Sequence, residues 1–306
     1  MALKDAVALG MSLPHRSPAP IDPSVVRQVA QRAEALGFQD LWVTHNTIDT
    51  TGCFDSLTVL TYVAGVTTTI RLGVSVLVLP LSHPLHVAHQ WATLDYLSGG
   101  RAILGVGIGR DTEYPPFQIP TERRVRRFTE SIELIKRLWT EPRVTYEGEV
   151  YQVHNETIGT RPVQSPRPPI WVGSSHPDAV RRAATVSDGW MGAGGSTIAA
   201  FAGNVPILRE ALAAAGRDPD TFPISKRVFM SVHERADVAR EEVDRWFTDV
   251  YHNSTGVDTA GVHGTPEQVR EQLEALASKG ANHLLLNPVA RYAEQVEALG
   301  EIAGFS

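Results

Sequence analysis

The chain is short of cysteine, lysine and long apolar runs, and each shortage excludes something. Its 306 residues include a single cysteine, Cys53. A disulfide framework and a cysteine-based zinc site are therefore both ruled out. Lysine occurs four times among 28 basic residues, the arginines are scattered, and the net charge is −6. Such a chain has no basic stripe with which to grip nucleic acid. No segment reaches the roughly 18 apolar residues of a membrane span. The longest apolar run, Leu72–Leu81, has the length of a strand. The N-terminus lacks the apolar core of a secretory signal, so a cytoplasmic protein is the expectation. What remains is an ordinary globular composition, 42% hydrophobic and 20% charged, that can bury a large core.

Short apolar runs alternate with amphipathic ones along the chain. Strands are expected at Ala6–Leu9, Leu41–Thr44, Leu72–Leu79, Ile103–Val106, Ile170–Val172, Gly189–Met191, Ile224–Val232 and Leu284–Leu286. Helix signals fall between them. Asp22-Pro23 and Pro84 open two helices, which Gly37 and Ser98-Gly99-Gly100 end. Thr121 is the expected cap of a long helix, and Thr265-Pro-Glu-Gln268 reads as a capping box. Arg123–Arg127 reads as a solvated helix face because acids are interleaved with it. Eight alternating units predict a (β/α)₈ TIM barrel, an α/β fold, as one domain over residues 1–306. Two insertions interrupt the alternation after strands four and seven. One is at about 141–169, with a hairpin signal around Glu147-Gly148. The other is a polar stretch at about 251–264, expected to be mobile.

In such a barrel the active site lies at the C-terminal ends of the strands. Two of the loops there suit an anion. Gly173-Ser174-Ser175 precedes a helix, offering N–H groups and hydroxyls, unless a serine simply caps that helix. Gly105–Gly109 followed by Arg110 offers close backbone approach and a fixed cation. His83, His86 and His89 raise the idea of a metal-dependent hydrolase. At about 100° per residue, however, the outer two lie some 120° apart on a helix, so no metal site is expected. Lys226 reads as a salt-bridge or rim lysine more readily than as a Schiff base.

Three stretches then stand together: Arg71–Pro84, Thr93–Arg101 and Leu104–Arg110. With Arg127–Glu130, Tyr146–Glu149, Pro169–Gly173, Ser187–Trp190 and Gly264–Val269, they resemble the bacterial luciferase-like flavin and F420-dependent oxidoreductases over nearly the whole chain. The resemblance implies a barrel that binds FMN or coenzyme F420. It implies a strand-three bulge at Ser75-Val76, where relatives often have a cis peptide. It places Gly107, Gly109 and Arg110 near the cofactor, and Gly173, Ser174 and Ser175 near its phosphate. After strand two, relatives often carry an acid and then histidine, whereas this chain has His45 and Asn46. Those two are the candidate catalytic residues.

The function expected is that of a flavoprotein oxidoreductase acting on a small organic molecule. It is either a monooxygenase using reduced FMN, oxygen and a separate reductase, or a hydride-transfer enzyme using F420. A non-catalytic flavin-binding protein is the other alternative. The helices at 54–66 and 84–97 are a candidate dimer face, and the two insertions are candidate lids.

Overall fold

The computed structural model describes residues 2–305. Eight parallel strands form its centre: β1 Ala8–Ser12, β2 Asp40–Val43, β3 Arg71–Val74, β4 Ala102–Gly107, β5 Ile170–Gly173, β6 Gly189–Gly192, β7 Ile224–Val232 and β8 His283–Pro288. Each pairs with the next, and β8 closes on β1 through Ala8 opposite His283. The result is the expected (β/α)₈ barrel. Around it lie α1 Pro23–Leu36, α2 Ser56–Ala64, α3 Pro84–Ser98, α4 Arg124–Thr140, α5 Pro177–Val186, α6 Ile198–Ala214, α7 Ala236–Tyr251, α8 Pro266–Ser278 and α9 Tyr292–Ala303. Helix α1 starts as expected, with Asp22 accepting from the Ser24 amide at 2.8 Å, and ends at Gly37 in the left-handed region.

Several local expectations need correction. Residues 3–6 form a helical turn that buries Leu3, so β1 begins later than expected. Thr121 is not a cap. Helix α4 begins at Arg124, and Arg123 before it is left-handed with no side-chain cap. The 251–264 stretch is packed: Gly256–Thr259 is one helical turn, Val262–Gly264 pairs with β7, and Val257, Ala260 and Val262 are buried. The hairpin is real, with Val144–Glu147 antiparallel to Gln152–Glu156. Its turn is held by the buried Glu130 carboxylate, which accepts the amides of Glu149, Val150 and Tyr151 at 3.0, 2.9 and 3.2 Å. Of the arginine run, Arg124 pairs with Asp111 and Arg126 with Glu149.

The barrel's interior is filled by Trp42, Ile103, Trp171, Met191 and Leu285. The rings of Trp42 and Trp171 lie 5.2 Å apart. Neighbouring strands supply glycine where the indoles press. A Cβ at Gly189 would stand 2.8 Å from the Trp171 ring, and one at Gly73 would collide with Trp42. Below them Asp40 is buried, accepting from the Trp42 indole at 2.5 Å and pairing with His283 at 3.0 Å and Arg71 at 2.9 Å. Burial would raise the Asp40 pKa, but these partners outweigh it and bring the carboxyl to about 2.

This packing generates a stability prediction. Gly73→Ala should lower stability by about 1–3 kcal/mol, because the Trp42 ring has no free space to enter. The urea midpoint should fall at unchanged slope.

Candidate active site

The C-terminal ends of the strands border a cavity of about 440 Å³, and a second of about 380 Å³ adjoins it. The first reaches the barrel mouth and is the inner compartment. The second lies among the loops and is the outer one. His45, Asn46, Ser75, Val76, Gly107, Gly109, Arg110, Gly173, Ser174 and Ser175 all line the inner compartment. Residues marked as candidates from four separate segments of the sequence are thus brought to one place.

His45 and Asn46 follow β2 and are set by a network beneath them. His15 is buried after β1; its Nδ1–H donates to the Leu13 carbonyl at 2.7 Å. Its Nε2 accepts from the Thr44 amide at 2.6 Å and faces the Thr44 hydroxyl at 2.7 Å. Burial depresses the His15 pKa to about 3, so the ring is neutral. Asn46 Nδ2 donates to the Thr44 hydroxyl oxygen at 3.3 Å. His45 lines both compartments. Its Nε2 lies 3.2 Å from the Thr47 hydroxyl, while its buried Nδ1 has no partner among the described residues. Burial also holds the His45 pKa below the ordinary value, with Asp55 and Glu113 opposing.

The floor is made where β3 ends. The Ser75–Val76 peptide is cis, and the chain resumes alongside β4 as Leu77–Val78. The Val76 side chain occupies space that a Cβ at Gly107 or Gly173 would need, standing 2.6 and 2.7 Å from those positions. Ser75 Oγ is buried without a partner. The Ser75 carbonyl accepts from Arg227 Nη1 at 3.2 Å.

Arg227 was missed by the sequence analysis, which weighed its neighbour Lys226 instead. It points inward from β7, is buried, and donates through Nε and Nη2 to Asn287 Oδ1 at 3.0 and 2.6 Å. No carboxylate pairs with it among the described residues, and its guanidinium lies 4.7 Å from the Phe229 ring. The clue was strand parity: in Ser225-Lys-Arg227, alternation turns Lys226 and Arg227 to opposite faces. Lys226 is neither a rim nor a salt-bridge residue. It is fully buried outside the cavity and donates to the carbonyls of Ala193 and Ser196 at 2.5 and 2.8 Å. Burial brings its pKa to about 7.

The serine loop is free of capping duty. His176, not a serine, caps α5, its Nδ1 accepting from the Asp178 amide at 3.3 Å. Ser174 Oγ accepts from the Trp190 indole at 3.0 Å. Asp178 turns to Arg181 at 3.0 Å. Arg110, expected as a fixed cation, is 76% exposed and already paired with Glu113 at 2.9 Å. Tyr251 at the end of α7 lines the inner compartment, and His252 the outer. No residue of the 143–169 insertion lines either, so it is not a lid over them. His83 is a helix cap, accepting from the Leu85 amide at 3.3 Å. The described residues contain no group of three or more His, Cys, Asp or Glu arranged to hold a metal ion. None of the described helices is long and apolar enough to cross a membrane.

A (β/α)₈ barrel with a glycine-lined mouth and a bulge after its third strand is the class of protein that the fold and site define, and the comparisons give its family. The profile of luciferase-like monooxygenases matches residues 7–255. The chain belongs to that family. It is 33% identical to an F420-dependent glucose-6-phosphate dehydrogenase of Kineococcus radiotolerans, over 73% of this chain and 68% of the relative. It is 30% identical to a 5,10-methylenetetrahydromethanopterin reductase of Archaeoglobus fulgidus, over 68% of this chain and 60% of the relative. These relatives are oxidoreductases. The first relatives matched are spanned over 49% to 68% of their own lengths. A monooxygenase structure from Streptomyces bottropensis shares the fold, with a TM-score of 0.84 at 23% identity, covering 97% of this chain and 98% of that one.

The buried neutral His15 makes stability depend on pH. Unfolding restores its ordinary affinity for a proton, so its contribution is complete above about pH 6.5 and is lost as pH falls toward 3. From about pH 7 to pH 5 the loss should be about 2 kcal/mol, and His15→Gln should flatten that part of the curve. Urea midpoints for both proteins across this range check it.

Proposed function

We propose that this chain binds coenzyme F420 in the inner compartment and transfers hydride between it and a small organic substrate in the outer one. The observation that carries this reading is the convergence, on one glycine-cleared cavity, of two buried polar atoms without partners and a buried cation without a counter-charge. These are His45 Nδ1, Ser75 Oγ and a guanidinium without an acid. Buried polar groups in folded proteins are nearly always satisfied, so groups left open at a cavity fit a polar ligand. The name of the Kineococcus relative favours F420. Ser75, Val76, Gly107 and Gly173 would border the ring system, and Arg227 would supply positive charge beneath it. The Ser175 N–H and the hydroxyls of Ser174 and Ser175, just before α5, would take its phosphate, the Ser174 N–H being held by the Met191 carbonyl at 3.2 Å. Gly109 and Arg110 would border the remainder.

Bound F420 would supply the hydride acceptor or donor for the reaction. The protein's part is to position the substrate and manage a proton. With Nε2–H donated to Thr47, the neutral His45 carries its free lone pair on Nδ1 and serves as the base for a substrate hydroxyl. Asn46, tethered through Thr44, orients that hydroxyl. Both compartments meet at these two residues. Phe54, Tyr62, Tyr96 and Leu97 are exposed on or beside α2 and α3, which supports a homodimer across those helices. The second reading is a monooxygenase using reduced FMN from a separate reductase; the family's own description favours it.

An anaerobic fluorescence titration with F420 and with oxidised and reduced FMN separates the two. Saturable binding of F420 is expected, weakened at least about tenfold by Arg227→Met. Tight binding of reduced FMN alone would replace the first reading by the second, and binding of neither would sink both. In the F420 case, His45→Gln should lower kcat by about 10²–10⁴ while leaving F420 affinity nearly unchanged. Because burial depresses its pKa, the His45-dependent limb of kcat/KM should lie below the ordinary histidine range and be flat above it.

A further inference from the structure

We infer that the substrate of the outer compartment is an uncharged alcohol or carbonyl compound with an apolar body, not a sugar phosphate. The inference rests on the proposed reading of the inner compartment only for the word substrate; the ligand chemistry follows from the outer walls alone. Two arginines reach that compartment, and each is already matched to an acid that lines it too. Arg16 and Asp49 pair at 2.5 Å with both side chains only 12% exposed. Arg16 is further held by the Thr51 hydroxyl at 3.3 Å and stands over the Tyr251 ring. Glu113 grips Arg110 twice, taking the guanidinium at 2.9 Å and the Arg110 amide at 2.9 Å. The charges cancel. His45 is held neutral by burial, and the remaining basic group, His252, is exposed at the rim.

A phosphomonoester dianion entering this space would meet two carboxylates and would have to break an ion pair for each cation it gained. Like charges placed together in a site cost several kcal/mol, which is how sites reject a ligand class. The rest of the wall carries no charge: Ile48, Val78, Leu81, Phe117 and Val250 give it apolar surface, and Asn46, Thr47, Thr50 and Thr112 give it neutral hydrogen-bonding groups. At about 380 Å³ the space takes a body of about ten heavy atoms. Asp49 and Glu113 are therefore the specificity-determining residues, because they cancel the charge that an anionic substrate would need.

Isothermal titration of the whole protein with glucose 6-phosphate and with 4-phenyl-2-butanol tests this, with and without F420. The alcohol should bind saturably, and the sugar phosphate at least about tenfold more weakly, about 1.4 kcal/mol. Glu113→Gln and Asp49→Asn each free an arginine and should each raise affinity for glucose 6-phosphate at least about tenfold, changing alcohol affinity little. Two variants are used because Glu113 also holds its own turn. Wild-type preference for the sugar phosphate, no binding of the alcohol, or no gain in either folded variant would overturn the inference. Failure of F420 to bind would count against the proposed cofactor only, since the ligand titrations on the cofactor-free protein still read the outer walls.

Discussion

Two indoles set the depth of the cavity, and much of the site follows from where they sit. Trp42 and Trp171 fill the barrel's middle, helped by glycine at positions where a Cβ would strike them. Strand residues alternate between faces, so the next inward position on each strand lies two residues further on. One step above the indole layer those positions are Thr44, Gly105, Gly173, Arg227 and Asn287. None is a large apolar residue. Below the layer the barrel is sealed by aromatic rings and the Asp40–His283 pair; above it the interior is cleared by glycine and lined by polar groups. The floor of the cavity is thus the top of the core, and a packed layer keeps it rigid.

Charge is divided between the two compartments in different ways. The inner one holds a buried guanidinium whose partners are carbonyl and amide oxygens, not carboxylates. Taking an arginine out of water without an acid is costly, and three hydrogen bonds to two neutral oxygens offset only part of that. Such a group is poised for an electron-rich ligand. The histidines nearby add no competing positive charge, since burial keeps His15 and His45 neutral. In the outer compartment every arginine has its acid. One space is left electrostatically open and the other closed, as expected if the first holds a polar cofactor and the second a neutral reactant.

The fold was legible because its signals are local and repeated. Eight apolar runs separated by amphipathic helices, with proline at helix starts and glycine at their ends, leave few alternatives. The errors lie where tertiary context overrides local chemistry. Thr121 has a cap's chemistry, yet the chain turns through a left-handed Arg123 before α4 begins. Residues 251–264 look polar, but Val257 and Ala260 dock on the aromatic cluster of Phe229, Trp246 and Phe247, and Val262 packs into the main core. In the site, the glycine and serine loops could be read because close approach and anion binding need those residue types. Arg227 could not be read from type alone. Only the register of β7 against β8 tells that it, not Lys226, faces the cavity.

That contrast bears on how much a relative's name carries over. The inner compartment is built from strand ends and the turns directly after them, segments whose positions the barrel itself fixes. A chain that keeps the indole layer and the glycines above it keeps this space nearly unchanged. The outer compartment is built from residues 45–50 and 110–117 and the end of α7, which no strand pairing constrains. Arg16 there is oriented by Asp49, and Arg110 by Glu113, so a single acid decides whether each cation is available. On the proposed reading, cofactor chemistry is tied to the fold, while the charge of the substrate hangs on two side chains that can change without disturbing it. A relative one-third identical that is named for a phosphorylated sugar is therefore compatible with the proposal that the outer walls of this chain exclude one.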